Sequence, residues 1–165
     1  MKKLTLLALS LMIASFAQAA LQPGDSISPY TIHNVSNGKE YCQVCAYGAK
    51  KAKLVAFGKL SDASFWADLE KIQALQASNP NLGVFAQVID SKDADAIKAE
   101  AAKHNITFPV VYAVESDWDT AYQVKGVSRT IYYAQKKNNI VWSGVGLTSK
   151  DEETLKSQIQ KDLGA

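Results

Sequence analysis

Continuous apolar segments alternate with amphipathic stretches along most of the chain, and this pattern predicts alternating strands and helices. Residues 54–57 and 82–89 are short and almost wholly apolar, which is typical of strands buried on both faces of a sheet. The stretch between them has apolar side chains at helical spacing and ends before Asn79-Pro80-Asn81. An order of strand, helix and strand predicts a parallel pair covered by helices.

An N-terminal β-hairpin is predicted ahead of this core. Residues 30–35 alternate well enough to form a strand. Asn37-Gly38 is a strong signal for a hairpin turn, so the chain should return through residues 39–47. The two cysteines of the chain, Cys42 and Cys45, would then lie on this return arm or just after it.

The second half of the chain continues the alternation and adds a closing hairpin. Helix starts are expected at Asp62 or Ser61, at Ser91 and at Ser149, where a capping side chain precedes an amphipathic stretch. The pattern therefore predicts one α/β domain with a mixed central sheet and helices on both faces. Its further elements are the helices 62–77, 91–104, 117–124 and 149–163 and the strands 108–112, 129–135 and 139–145.

The first 19 residues have the pattern of a secretory signal peptide. Two lysines precede the apolar run 4–16, and Ala17-Gln18-Ala19 matches the small-x-small pattern of a cleavage site. The run covers 13 residues, whereas a membrane-spanning helix needs about 20. We therefore expect cleavage after Ala19, a mature domain of residues 20–165 without a membrane anchor, and a periplasmic or secreted location.

Charge and composition narrow the classes of partner and cofactor. Loss of the predicted signal peptide leaves 16 basic against 16 acidic residues. A neutral chain without a basic run provides no electrostatic basis for binding nucleic acid or an anionic membrane. No cofactor is expected, and a c-type haem in its usual form is excluded because Ala46 stands where the attachment motif requires histidine. The oligomeric state does not follow from the sequence.

Cys42 and Cys45 are the main candidates for chemistry, and three interpretations are open. Export permits disulfides, and cysteines at this spacing are expected to pair with each other. The pair could exchange reversibly with thiols or disulfides of partner proteins. It could instead be a static bridge that stabilises the fold by about 2 kcal/mol. It could also bind a soft metal such as Cu(I), with His33 on the facing strand as a third ligand.

Short motifs in the second half of the chain, and one near its start, form a recognisable series. They are Phe108-Pro109-Val110-Val111, the stretch Ala121-Tyr122-Gln123-Val124-Lys125-Gly126-Val127, Asn139-Ile140-Val141, and Pro23-Gly24-Asp25 before the hairpin. The series resembles the thioredoxin superfamily, specifically its redoxin branch of peroxiredoxins and periplasmic thioredoxin-like proteins. The resemblance covers residues 23–163 and implies a thioredoxin-like three-layer sandwich.

The chain departs from this family at the usual active site. The resemblance places the reactive cysteine after the first central strand, in a region that is residues 58–65 here and contains no cysteine. Ser128 stands at the position of the family's cis proline. Arg129 falls near the arginine that activates the thiolate in peroxiredoxins. Peroxidase activity by the usual mechanism is therefore not expected, and the role of Arg129 and of the region around Asp62 stays open.

The cysteines and the residues after them are similar to a smaller group of redoxin-like proteins with Cys-x-x-Cys-x-Tyr-Gly ahead of the first central strand. Cys42, Cys45, Tyr47 and Gly48 match this signature, which supplies no biochemical role. We expect thiol–disulfide exchange in which the more exposed thiolate attacks a partner disulfide and the other resolves it. Analogy with ordinary CxxC proteins favours Cys42 as the attacker. The alternative is a non-enzymatic module with a structural disulfide, or a Cu(I) site formed with His33.

Overall fold

The computed structural model describes residues 20–164, and the predicted signal peptide and its cleavage site lie outside these residues. None of the described helices is long and apolar enough to cross a membrane. The strands are Ile32–Asn34 (β1), Glu40–Tyr41 (β2), Ala52–Gly58 (β3), Leu82–Val88 (β4), Val110–Ala113 (β5), Arg129–Gln135 (β6) and Ile140–Gly144 (β7). The helices are Gln43–Ala46 (α1), Ala63–Ala77 (α2), Ala94–Lys103 (α3), Trp118–Ala121 (α4) and Ser149–Leu163 (α5).

The seven strands form one mixed sheet in the order β2-β1-β5-β4-β3-β6-β7. Its central strand, β3, pairs in parallel with β4 and antiparallel with β6 along all seven of its residues. Every residue of β3 is buried, as the continuous apolar pattern predicts for a strand covered on both faces. Leu54 and Ala56 point to one face and Val55 and Phe57 to the other, so β3 joins the two halves of the core.

Different elements cover the two faces of the sheet. The three longer helices, α2, α3 and α5, contribute their apolar side chains to a single hydrophobic cluster on the first face. The second face is covered by the N-terminal segment 20–30 and by the one-turn helices, through residues such as Val44 and Trp118. The predicted three-layer sandwich is therefore confirmed, with a second outer layer made of short helices and extended chain.

The return arm of the N-terminal hairpin is shorter than predicted. β2 contains only Glu40 and Tyr41, and Cys42 caps α1 directly after it. Residues three apart on a strand lie about 10 Å apart, whereas the Cα atoms of Cys42 and Cys45 are 5.2 Å apart. A disulfide at this spacing therefore requires a tight turn. The predicted arm 39–47 is wrong beyond Tyr41, and the position of the pair just after the arm is confirmed.

Two of the predicted helix caps are also wrong. The carboxylate of Asp93, not the hydroxyl of Ser91, accepts the first-turn N–H of α3. Ser91 accepts the backbone N–H of Asp93 instead. α5 is capped one residue earlier than predicted, at Thr148, because Thr148 and Asp151 form a reciprocal capping box that Ser149 cannot replace.

Lys53 places a charged side chain within the buried strand β3. The residue is only 1% exposed, and its ammonium lies 3.5 Å from the carbonyl oxygen of Lys136, which is a long contact. Burial lowers the pKa of this ammonium from its ordinary value, because removal from water disfavours the charged form. The positive charge of Lys53 therefore lowers stability at neutral pH, where the unfolded chain carries the same charge in water.

Replacement of Lys53 by methionine should stabilise the protein. The free energy of unfolding near neutral pH should rise by about 1–2 kcal/mol, because methionine fills the space without a buried charge. Wild type and variant should converge as the pH rises toward 10.5, where the unfolded chain also loses this proton and the penalty disappears.

Denaturant titrations at neutral and alkaline pH measure this difference. The matched control is Lys51→Met at an exposed neighbouring position, which should change stability by less than about 0.5 kcal/mol. A loss of stability in Lys53→Met would show that the ammonium has a favourable partner.

Candidate functional site

Cys42 and Cys45 form a disulfide across the single turn of α1, with the sulfur atoms bonded at 2.15 Å. Cys42 is the N-cap of this turn, and its sulfur accepts a hydrogen bond from the backbone N–H of Cys45 at 3.1 Å. Cys45 is exposed, whereas Cys42 is half-buried and packs against the hydrophobic cluster of the second face. The two cysteines therefore differ in residue exposure, and their sulfur atoms differ in hydrogen bonding.

The two residues between the cysteines form a buried base for the disulfide. Val44 is 3% exposed and belongs to the cluster of the second face. Gln43 is equally buried, and its side-chain oxygen accepts a hydrogen bond from the Tyr41 hydroxyl at 2.7 Å. The same hydroxyl accepts a bond from the Asn34 amide at 2.9 Å. This chain of polar contacts ties α1 to β1.

Tyr47 anchors the other end of α1. Its ring lies over Gly83, where a Cβ atom would come 2.7 Å from the ring. Its hydroxyl donates a hydrogen bond to the Val84 carbonyl at 2.9 Å. Val84 precedes Ala86, the first residue of β4 that pairs with β5. The hydroxyl therefore binds β4 on its β5 side, where the pairing with β5 has not yet begun. Burial, with a smaller contribution from Tyr41, raises the pKa of Tyr47 to about 12.

His33 is not brought to the cysteines. Its ring stacks on Tyr112 with a centroid distance of 4.7 Å, and Tyr112 packs against the cluster of the first face. Its Nδ1 atom lies 3.6 Å from a carboxylate oxygen of Glu40. Cys42 instead packs against the second face. The structure does not assemble Cys42, Cys45 and His33, and no group of three or more potential metal ligands is found within the described residues.

An ion-pair cluster occupies the region where the family resemblance places the active site. Arg129, at the start of β6, lies 3.1 Å from the carboxylate of Asp68 and 3.6 Å from that of Asp62, the N-cap of α2. Asp68 also accepts the backbone N–H of Leu147 at 3.2 Å. A Cβ atom on Gly146 would come 2.8 Å from the guanidinium, so glycine makes room for it. The two carboxylates therefore neutralise the positive charge of Arg129. The ion-pair cluster also connects α2 to β6 and to the segment before α5.

Three buried polar residues of these two regions are not predicted from the sequence. Asp68 lies on the apolar stripe of α2 between Phe65 and Leu69, and it is 5% exposed. Asn34 and Gln43 are also almost fully buried. A polar residue on an apolar stripe signals a buried partner, because burial without one is unfavourable. That signal could have identified Asp68, although not its partner.

The fold of the chain is similar to that of many solved structures, whereas no protein-family model and no curated protein sequence matches it. A protein described as thiol:disulfide interchange protein DsbE from Chlorobium tepidum superposes with a TM-score of 0.74 at 20% identity, over 88% of this chain and 100% of the other. The chain described here therefore has the thioredoxin-like fold. A secreted disulfide oxidoreductase from Mycobacterium tuberculosis shares this fold, with a TM-score of 0.63 at 13% identity over 80% of this chain and 95% of its own.

A thiol peroxidase also has a similar thioredoxin-like fold. The enzyme from Chromobacterium violaceum superposes with a TM-score of 0.66 at 13% identity, over 87% of this chain and 88% of its own. One fold supports different chemistries, so the likeness establishes the architecture alone.

Replacement of Asp68 by alanine should lower the free energy of unfolding by about 3 kcal/mol, because it leaves Arg129 without its closest carboxylate and a buried N–H without an acceptor. Asp62→Ser is the matched control. It removes the longer contact to Arg129 and keeps a helix cap, so it should cost less than about 1 kcal/mol. Denaturant titration measures both changes. Equal losses would contradict the assignment of Asp68 as the main partner of Arg129.

Replacement of Tyr41 by phenylalanine should loosen α1, because Asn34 and Gln43 lose the hydroxyl that connects them. The amide hydrogens of residues 45–47 should exchange with solvent about tenfold faster, which corresponds to the loss of one net hydrogen bond. Hydrogen exchange followed by NMR measures this effect.

Tyr133→Phe is the control for this experiment. It removes a hydroxyl that donates to Asp162 on α5, away from the cysteines. Its effect on global stability should be similar, and exchange in α1 should not change. Equal acceleration of α1 exchange in both variants would show that the contacts of Tyr41 do not hold α1 locally.

Proposed function

We propose that the protein is an exported thiol–disulfide exchange protein in which Cys42 and Cys45 are the reacting groups. The observation that supports this best is the exposed position of Cys45 within a formed disulfide. Exchange requires a thiolate to reach one sulfur atom of the bridge, and exposure makes this possible. The partners are thiols or disulfides of other proteins.

The short spacing of the cysteines suits a reversible reaction. A partner thiolate attacks one sulfur atom and forms a mixed disulfide, and the other cysteine can then close the bridge again. The buried side chains of Gln43 and Val44 hold the turn in place on one side. Both sulfur atoms therefore stay close together after the bond opens, which favours resolution of the mixed disulfide.

The proposed site lies in the connection that leads into β3, whereas the family resemblance places the reactive cysteine after this strand. The seven residues of β3 span roughly 20 Å between these two ends. Peroxidase activity at the usual position is not proposed, because residues 58–65 include no cysteine and Arg129 is paired with carboxylates.

Similar structures support the redox proposal and the location. Two of them carry the names thiol:disulfide interchange protein and secreted disulfide oxidoreductase. We propose that residues 1–19 direct this chain to the periplasm or the exterior and are removed after Ala19. The mass of the protein isolated from its natural host should equal that of residues 20–165, and an uncleaved chain in the cytoplasm would contradict export.

A static disulfide is the second candidate function of the pair. The half-buried position of Cys42 against the cluster of the second face favours it, because buried disulfides are harder to reduce than exposed ones. Closing such a short loop would stabilise the fold by about 2 kcal/mol. Among residues 20–164, the soft-metal alternative finds only the two sulfur atoms as ligands, since His33 packs on the other face.

The reduction potential of the pair separates exchange from a static bridge. We expect a value between roughly −120 and −270 mV, the range of proteins that exchange disulfides. Thiol labelling of the mature protein across a series of glutathione buffers measures it. A double Cys42→Ser, Cys45→Ser variant provides the labelling baseline. A potential below about −300 mV would contradict the proposal and leave a structural disulfide.

A further inference from the structure

The geometry of the disulfide points to an order of attack opposite to that expected from ordinary CxxC proteins. We propose that the partner sulfur bonds to Cys45 and that Cys42 is the sulfur that leaves and later returns. The inference rests on the proposed exchange function and assigns the roles of its two reacting groups.

Access to the two sulfur atoms favours attack on Cys45. Cys45 is exposed, and the neighbouring Ala46, Gly48 and Ala49 are exposed and small. These three residues present only small side chains to a partner polypeptide that approaches Cys45. Cys42 is half-buried and packs against the cluster of the second face, which restricts approach to its sulfur.

Hydrogen bonding favours Cys42 as the leaving group. Its sulfur accepts the backbone N–H of Cys45 at 3.1 Å. A thiolate is a stronger acceptor than a disulfide sulfur, so this bond strengthens as negative charge develops on Cys42. A stabilised thiolate leaves faster in exchange reactions. Within the described residues, no equivalent N–H bond to the sulfur of Cys45 is found.

In the proposed reaction two electrons pass from a partner dithiol to the Cys42–Cys45 disulfide. A partner thiolate attacks the sulfur of Cys45, a partner–Cys45 disulfide forms, and the Cys42–Cys45 bond breaks with its electron pair on Cys42. A second thiolate of the partner then attacks the partner's own sulfur, and Cys45 leaves as a thiolate that takes a proton from water. The partner dithiol is oxidised by two electrons and the pair is reduced. In the reverse direction Cys45 attacks a partner disulfide and Cys42 resolves the mixed disulfide.

The site of attack can be read directly on the wild-type protein. The oxidised mature protein is mixed with reduced glutathione, and free thiols are blocked with excess N-ethylmaleimide within seconds. Fragmentation of the peptide between Gln43 and Val44 by mass spectrometry locates both groups. We expect glutathione on Cys45 and N-ethylmaleimide on Cys42. Glutathione predominantly on Cys42 would overturn the proposed order.

Single-cysteine variants test the same order independently of the reduction potential. Cys42→Ser keeps an N-cap that can accept the N–H of Cys45, so α1 should be preserved. Its remaining thiol should react with an aromatic disulfide reagent at about pH 9.5, where both thiols are largely ionised, roughly tenfold faster than the thiol of Cys45→Ser, because exposure then controls the rate. In urea the two rates should become equal, which shows that the folded structure causes the difference.

The two proposals can fail separately in these experiments. Equal or reversed rates in the folded variants would overturn the order of attack, whatever the potential of the pair. A very low potential together with the expected difference in rates would overturn the exchange function and keep Cys45 as the accessible sulfur.

Discussion

The pairing of β3 on both sides is the constraint on which the rest of this structure depends. Its backbone is hydrogen-bonded to β4 and β6 along its full length, and all of its residues are buried. A strand of this kind needs an apolar cover on each face. The longer helices supply one cover, and the N-terminal segment with α1 and α4 supplies the other. The turn that carries the cysteines is therefore part of the layer that closes the second face.

This role explains why the two cysteines are unequal. Val44 must face the core to complete the second layer, and Gln43 is buried beside it. In one helical turn, Cys42 then lies at the edge of the core and Cys45 lies toward solvent. The difference in access between the sulfur atoms follows from the packing of the residues between them. At the other end of β3, the ion pair of Asp68 and Arg129 connects α2 to β6.

The central fold could be predicted from the sequence because its signals are local and strong. Continuous apolar runs that alternate with amphipathic stretches are typical of buried strands between helices, and they identify β3 and β4. Helix caps are less certain, since Ser91 and Asp93 are both suitable and only the folded backbone decides which side chain reaches the N–H groups. The partner of Arg129 could not be predicted, because Asp68 lies 61 residues away and only the folding of α2 against β6 brings the two together.

At the candidate site, too, local features can be predicted from the sequence, whereas contacts made by the folded chain cannot. The spacing of Cys42 and Cys45 predicts a disulfide, and a disulfide at this spacing needs a turn rather than a strand. The residues that flank α1 are held by contacts outside the motif, to Asn34 on β1 and to the more distant Val84 on β4. These contacts hold α1 by groups other than the sulfur atoms, so opening the bond need not release the layer that covers β3. A bridge that the fold does not require for its packing can open and close, which makes the structure compatible with repeated exchange.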